Sequence, residues 1–217
     1  AWVRLQEPLA EFRHARRQDL HRQCDAQRGG LRSVCRRLHG ALSTAARRGG
    51  GTAADPVLRE NFIERVFIYN RWRACEADGS LGALVDFHTR HKLILMSHSQ
   101  AALRELGRIV AGAKKRAAPA VKTDYLSRLM PALALHATPA KHANVLQHAM
   151  GYFKDRLGPA EKGDLPELIE ACRVGQVPLI APVSVIRHLV VRFDESYLRG
   201  QYYLDPAPAE LMLHNHV

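Results

Sequence analysis

The sequence predicts an all-α protein: one multi-helix, bundle-like domain behind a disordered, arginine-rich N-terminal segment. Three observations carry this. Apolar residues recur at helical spacing from Asp55 onward, residues suited to capping stand where those periodic stretches begin, and no stretch shows the alternation of a half-buried strand. Residues 1–50 differ sharply in composition, with eleven arginines, no lysine and four acids, so +7 of the chain's formal charge of +11 lies there.

Repeated arginine pairs (Arg16-Arg17, Arg36-Arg37, Arg47-Arg48), the Gly49-Gly50-Gly51 run and few apolar anchors cannot offset chain entropy by burial. Segment 1–54 is therefore read as disordered. Arginine with alanine and glycine, and no lysine, is also what a GC-rich gene gives when read out of frame or from a truncated start, so the segment is equally read as that.

The first helix opens with Asp55 as cap and Pro56 as first residue, and puts Leu58, Phe62, Val66 and Tyr69 on one stripe; 55–79 is the stretch before the main domain, 80–217. A second helix over about 80–97 is apolar nearly all round, through Leu81, Leu84, Val85, Phe87, Leu93, Ile94, Leu95 and Met96, and belongs in the centre of a bundle. Ser99 caps a third, with a stripe of Leu103, Leu106 and Val110 and a basic ridge of Arg104, Arg108 and Lys115 at spacings of four and seven. A fourth runs over 121–136, kinked at Pro131, and Thr138-Pro139 starts a fifth that continues to Leu157. Asp164-Leu165-Pro166-Glu167 has the layout of a capping box for a sixth helix ended by Gly175, and prolines divide the remainder into helices at about 182–192, 194–200 and 208–214.

Several function classes are disfavoured. Cys24, Cys35, Cys75 and Cys172 are widely separated with no C-x-x-C pair, which reads as free thiols and not as a zinc site or disulfide framework. Histidine is abundant, but His88/His91 and His214/His216 have no carboxylate at a ligand-like offset, and no H-E-x-x-H, nucleophile elbow or phosphate loop is present. No catalytic residue, metal or cofactor is expected. No apolar run is long enough for a bilayer crossing, and no signal-peptide stretch opens the chain, so a cytoplasmic location is expected and no membrane partner.

Two groups could carry function. At 100° per residue the fifth helix gathers Lys141, Asn144, Gln147, His148 and Lys154 opposite Leu146, Ala149, Met150, Phe153 and Leu157. That polar face has no acid, and lysine, imidazole and amide groups suit phosphates and base edges. The second group interrupts the apolar central helix: His88, His91 and Lys92, joined by His98 just beyond its end, could line a pocket for an anion or a flipped base.

The strings Phe87-His88-Thr89-Arg90-His91-Lys92, Lys141-His142-Ala143-Asn144-Val145-Leu146-Gln147-His148-Ala149-Met150-Gly151-Tyr152-Phe153-Lys154 and Val177-Pro178-Leu179-Ile180-Ala181-Pro182 resemble, in that order, the YbgA-like bacterial domain family of unknown function. The likeness covers about 80–217, including Glu210-Leu211-Met212-Leu213-His214-Asn215, and the stretch from Asp55 to Arg65 looks like the joint where this domain follows a thiouracil-desulfidase-type domain. The resemblance implies a role beside that module, which removes sulfur from thiolated uracil by iron–sulfur chemistry, with the YbgA-like part holding transfer RNA. Residues 1–54 do not match that module, so no desulfidase activity is expected of this chain alone.

The reading is thus an accessory domain that docks structured RNA, transfer RNA foremost, with a desulfidase-type domain as partner in cis or in trans. Phosphate contacts would come from Lys141, Lys154, Arg104, Arg108 and Lys115, and more specific ones from Asn144, Gln147 and His148. The alternatives are an independent small enzyme with a pocket of His88, His91, Lys92 and His148, or a protein-interaction domain that stabilises the desulfidase and shows a large apolar patch.

If segment 1–54 is dispensable for folding, fragment 55–217 will melt within about 5 °C of the full chain, a shift of order 1 kcal/mol for this size. A larger loss on deletion would mean that the segment packs on the domain.

Overall fold

The computed structural model describes residues 55–207 and His214. Among them are eight α-helices and one 3₁₀ turn, with no strand: α1 (Pro56–Asp78), α2 (Leu81–His98), α3 (Gln100–Ala111), the turn Ala113–Lys115, α4 (Ala118–Ala134), α5 (Pro139–Gly151), α6 (Pro159–Arg173), α7 (Ile180–Arg192) and α8 (Ser196–Arg199). The all-α class read from the periodicity holds. The segment 1–54 and the final helix expected over 208–214, His214 apart, lie outside the described residues.

The helices begin and end where local chemistry directs. Gly79, at φ 76°, takes the left-handed conformation that ends α1, and the Ser80 hydroxyl then accepts the Ala83 N–H at 3.0 Å to start α2. Ser99 does two jobs: its N–H donates to the Leu95 carbonyl and closes α2, while its hydroxyl accepts the Ala102 N–H and opens α3. Thr138 caps α5 with Pro139 as its first residue. For α6 the sequence reading needs correction. The helix starts five residues before Asp164, at Pro159, because the Glu161 carboxylate accepts the Gly158 N–H at 2.9 Å; the helix then continues through Pro166.

α2 is the centre, as its sequence implies. It packs against α1, α3, α4 and α5, while α6 and α7 close over α5 and over each other. Leu84, Leu93, Ile94 and Leu95 are buried in one core that runs from Ile68 in α1 to Leu204. The aromatic heart of the first half is Trp72, stacked on Tyr125 with ring centres 5.4 Å apart and edge-on to Phe87 at 5.3 Å. The expected α1 stripe is the wrong one: Phe62 and Tyr69 are exposed, and α1 buries Ile63, Glu64, Ile68, Trp72 and Cys75 instead. α1 carries apolar residues on two stripes, and the one bearing the large indole has the more apolar area to remove from water.

α2 keeps an exposed edge at Gly82, Val85 and Asp86, so Val85 of the expected apolar run faces water, but burial of its second half leaves polar groups that only protein can satisfy. The Gln201 side chain accepts the Leu93 N–H at 3.3 Å and donates to the Thr89 carbonyl at 2.8 Å, the two groups that an uninterrupted helix pairs with each other. The neighbouring Tyr202 N–H donates to the Arg90 carbonyl at 3.0 Å. Two lysines close helix C-termini: Lys122 donates to the Cys75 carbonyl in the last turn of α1 at 2.6 Å, and Lys141 to the His98 carbonyl at 2.8 Å.

Trp72→Ala should lower the unfolding free energy by about 3–5 kcal/mol, because a buried indole is lost with its stack on Tyr125. Chemical denaturation of the two proteins measures this; a loss below about 1 kcal/mol would mean that this aromatic cluster is not what joins α1 to α4.

Candidate functional site

The acid-free face of α5 keeps three of its expected members together. Asn144, Gln147 and His148 are exposed, and residues 139–151 contain no acid. His148 sits edge-on to Tyr152, ring centres 5.7 Å apart, and Tyr152 stacks on Tyr197 at 5.3 Å. This part-exposed aromatic step, one turn beyond His148, was not singled out from the sequence, although the i+4 spacing was there to read.

The two lysines of that face depart from expectation. α5 ends at Gly151, where the Tyr152 and Phe153 N–H groups fold back onto the Ala149 and Met150 carbonyls, so Lys154 lies in the following turn and not on the helix. Lys154 is nonetheless exposed. Lys141 is half-buried, its ammonium donating to the carbonyls of His98 and His136 at 2.8 and 2.9 Å. It is first a clamp between helix ends. The basic ridge of α3 is shorter than expected: Arg104 and Arg108 are exposed one turn apart, but α3 ends at Ala111, and Lys115 belongs to the 3₁₀ turn.

The group His88, His91, Lys92 and His98 is divided by the fold. His88 and His91 are buried among Phe87, Tyr125 and Tyr202, with His88 Nδ1 3.0 Å from the Tyr125 hydroxyl and the His91 Nδ1–H donating to the Phe87 carbonyl at 2.7 Å. Burial above all pushes their imidazoles down, to about 4 and about 3, which keeps both neutral. Lys92 is half-buried, and exposed His148 packs on Tyr152. The pocket of His88, His91, Lys92 and His148 is therefore not assembled.

His98 lines a different cavity, of about 200 Å³, between the first turns of α1, the end of α2, the α4–α5 connection, the end of α6 and His214. Its imidazole is held at both nitrogens. Nδ1 donates to the Leu135 carbonyl at 2.5 Å and Nε2 meets the Glu64 carboxylate at 2.8 Å. Burial works against charge on both partners, yet the hydrogen bond and mutual attraction prevail, holding the Glu64 carboxyl below its ordinary range and the His98 imidazole above its own. Beside them His142 Nδ1 lies 2.9 Å from the buried Tyr203 hydroxyl, and burial keeps that imidazole neutral by pushing it down to about 4.

His214 completes the cavity. Its Nδ1 and its backbone N–H both approach Glu60 Oε1, at 2.6 and 3.0 Å, and its carbonyl accepts the Ile180 N–H at 2.7 Å. Its φ of 68° is a left-handed conformation unusual for a residue with a Cβ, held here by those contacts. Glu60, Glu64, His142, Tyr203 and His214 were not picked out from the sequence as one site. Glu60 and Glu64 are one turn apart in α1, but the carboxylate for His214 comes from 154 residues away, beyond any local spacing rule. Among the described residues no group of three or more His, Cys, Asp or Glu is arranged to hold a metal ion.

Three neutral histidines, buried His88 and His91 and half-buried His142, set an acid limit. Their folded values lie below the ordinary 6.5, so the stability tied to their neutrality is complete above that pH and is lost as pH falls through 6.5 toward 4. Unfolding at pH 5 should take up about three protons from this set, read from the pH slope of stability, and about two in His88→Gln. The Glu64–His98 pair runs otherwise. The Glu64 part is present above about 4.5 and lost below it, and the His98 part is present below about 6.5 and lost as pH rises through the raised value. The stability difference between parent and Glu64→Gln should therefore peak between those values; a flat difference would show the pair uncharged.

Residues 92–208 match the family described as protein of unknown function DUF1722. The chain is 33% identical over 156 residues to the uncharacterized protein YbgA of Escherichia coli strain K12, an alignment that covers 71% of this chain and 92% of that protein. No solved structure matches. Among the described residues no helix is long and apolar enough to cross a membrane. The matched stretch begins within α2 and runs beyond α8, and with the likeness to YbgA it places this chain in the DUF1722 family, whose YbgA-like character its own sequence strings announce.

Proposed function

We propose that this domain docks structured RNA, transfer RNA foremost, in the cytoplasm, as the accessory part of a system that removes sulfur from thiolated uridine. One observation carries the reading. Arg116, Arg128, Arg156, Arg173, Arg192 and Arg199 are each engaged by an acid, whereas exposed Arg104, Arg108, Lys115 and Lys154 form no ion pair with any described residue. Cations left to water are the ones that phosphates can recruit with release of counterions. Asn144, Gln147 and His148 supply donors and acceptors for base edges, and the Tyr152 ring offers a face for stacking.

The desulfidase partner is inferred from the resemblance of the stretch from Asp55 to Arg65 to the joint behind such a domain. Phe62 and Tyr69, exposed seven residues apart on α1, give that partner an apolar stripe to cover.

Binding to bulk transfer RNA across a salt series tests the reading. Arg104→Ala, Arg108→Ala and Lys154→Ala should each weaken binding to any RNA and make the salt slope shallower by roughly one counterion. Asn144→Ala and Gln147→Ala should cost about 1–3 kcal/mol on the preferred RNA with the slope unchanged. Lys141→Ala belongs to neither set: with its ammonium on two carbonyls, it should lower folding stability as well. Parental binding in all the surface variants would end the RNA assignment.

A further inference from the structure

The cavity that contains His98, His142 and His214 stands apart from the RNA reading, which uses none of its side chains. Its volume, about 200 Å³, exceeds the roughly 150 Å³ that accommodates one benzene ring in an apolar protein cavity. Much of the wall is apolar, from Val57, Val177, Leu179 and the Pro139 ring, an environment that favours a flat hydrocarbon framework over a cluster of waters.

The polar groups are few and specific. His214 lines the wall and is 5% exposed. His142 uses Nδ1 on Tyr203, which leaves Nε2 to donate or accept according to tautomer. Glu64 commits Oε2 to His98 and keeps a second carboxylate oxygen as acceptor. The Glu60 and Glu64 carboxyl groups both stand in the walls, and the hydrogen bond from His98 favours the charged form of Glu64, which disfavours an anion beside it.

We propose that this cavity is a binding site for a small uncharged aromatic or heteroaromatic single ring that carries an N–H or O–H donor. The ring lies among the apolar side chains while its donor meets the free acceptors of the site and its own lone pairs accept from an imidazole N–H. A carboxylate on the same ring meets the like charge of Glu64, and a bare hydrocarbon ring offers no donor to the second Glu64 oxygen.

The test uses the full chain and four probes of matched size: 2-pyridone, phenol, toluene and benzoate. Each is titrated while the imidazole resonances of His142 and His214 are followed by NMR. The expected result is saturable binding of 2-pyridone and phenol in the millimolar range or tighter, with both histidines shifting together, and at least about tenfold weaker binding of toluene and benzoate, a difference of about 1.4 kcal/mol. Val177→Phe and Ala137→Phe, which put a ring into the same space, should abolish the effect. Should both variants fail to fold, intermolecular NOEs from probe ring protons to Leu179 methyls and the His142 ring in the parent decide the location. No saturable binding by either donor probe, benzoate binding as tightly as phenol, or unchanged binding in a folded Phe variant would each overturn the proposal.

Discussion

The structure depends on the burial of α2, whose C-terminal half from Phe87 to His98 is enclosed by its neighbours while Gly82, Val85 and Asp86 keep an exposed edge. An apolar helix surrounded by four others gains the hydrophobic term of a core element but loses water for each polar group it carries. The neighbours then take the place of solvent. Tyr125 meets His88, the Phe87 carbonyl meets His91, Gln201 spans Thr89 and Leu93, Ser99 closes the last turn, Lys141 takes the terminal carbonyl and Glu64 pairs with His98. Tyr125, Gln201, Lys141 and Glu64 come from four other parts of the chain, so the needs of one helix constrain where the others lie.

The same constraint explains where the polar cavity sits. The C-terminus of α2 is the place where a wholly apolar environment cannot continue, because unpaired carbonyls and the His98 ring emerge there together. Glu64, Leu135 and Lys141 gather at that end from α1, the end of α4 and α5, and the gap between them is bounded by His142 and His214.

The fold class and the central helix were legible in the sequence because both rest on periodicity, and periodicity is local. The apolar run from Leu81 to Met96 announces a buried helix, and Ser99 and Thr138-Pro139 mark true helix starts. Where two local signals competed, the sequence could not decide. α1 offered two apolar stripes, and the choice went to the one that packs Trp72 on Tyr125, a partner 53 residues away. At α6 the start read at Asp164 gave way to one at Pro159, where Glu161 accepts the Gly158 N–H. Of the candidate site, the exposed amides of α5 were legible, since helical projection places them without knowledge of the rest. The cavity was not, because Glu60 with His214 and His142 with Tyr203 are encounters across 154 and 61 residues that no spacing rule relates.

Lys141 joins the two surfaces. It begins the α5 helix whose later turns present Asn144, Gln147 and His148 to solvent, yet its ammonium reaches inward to the carbonyl of His98, whose ring lines the cavity. A lysine so placed has traded hydration for two carbonyl contacts, and any polyanion that drew it outward would have to leave those carbonyls to another donor. The exposed amide face therefore can exchange occupants without disturbing the core, whereas the start of α5 cannot. Pro139 and His142 of the same helix line the cavity, so the first turn of α5 belongs to the interior as much as Lys141 does.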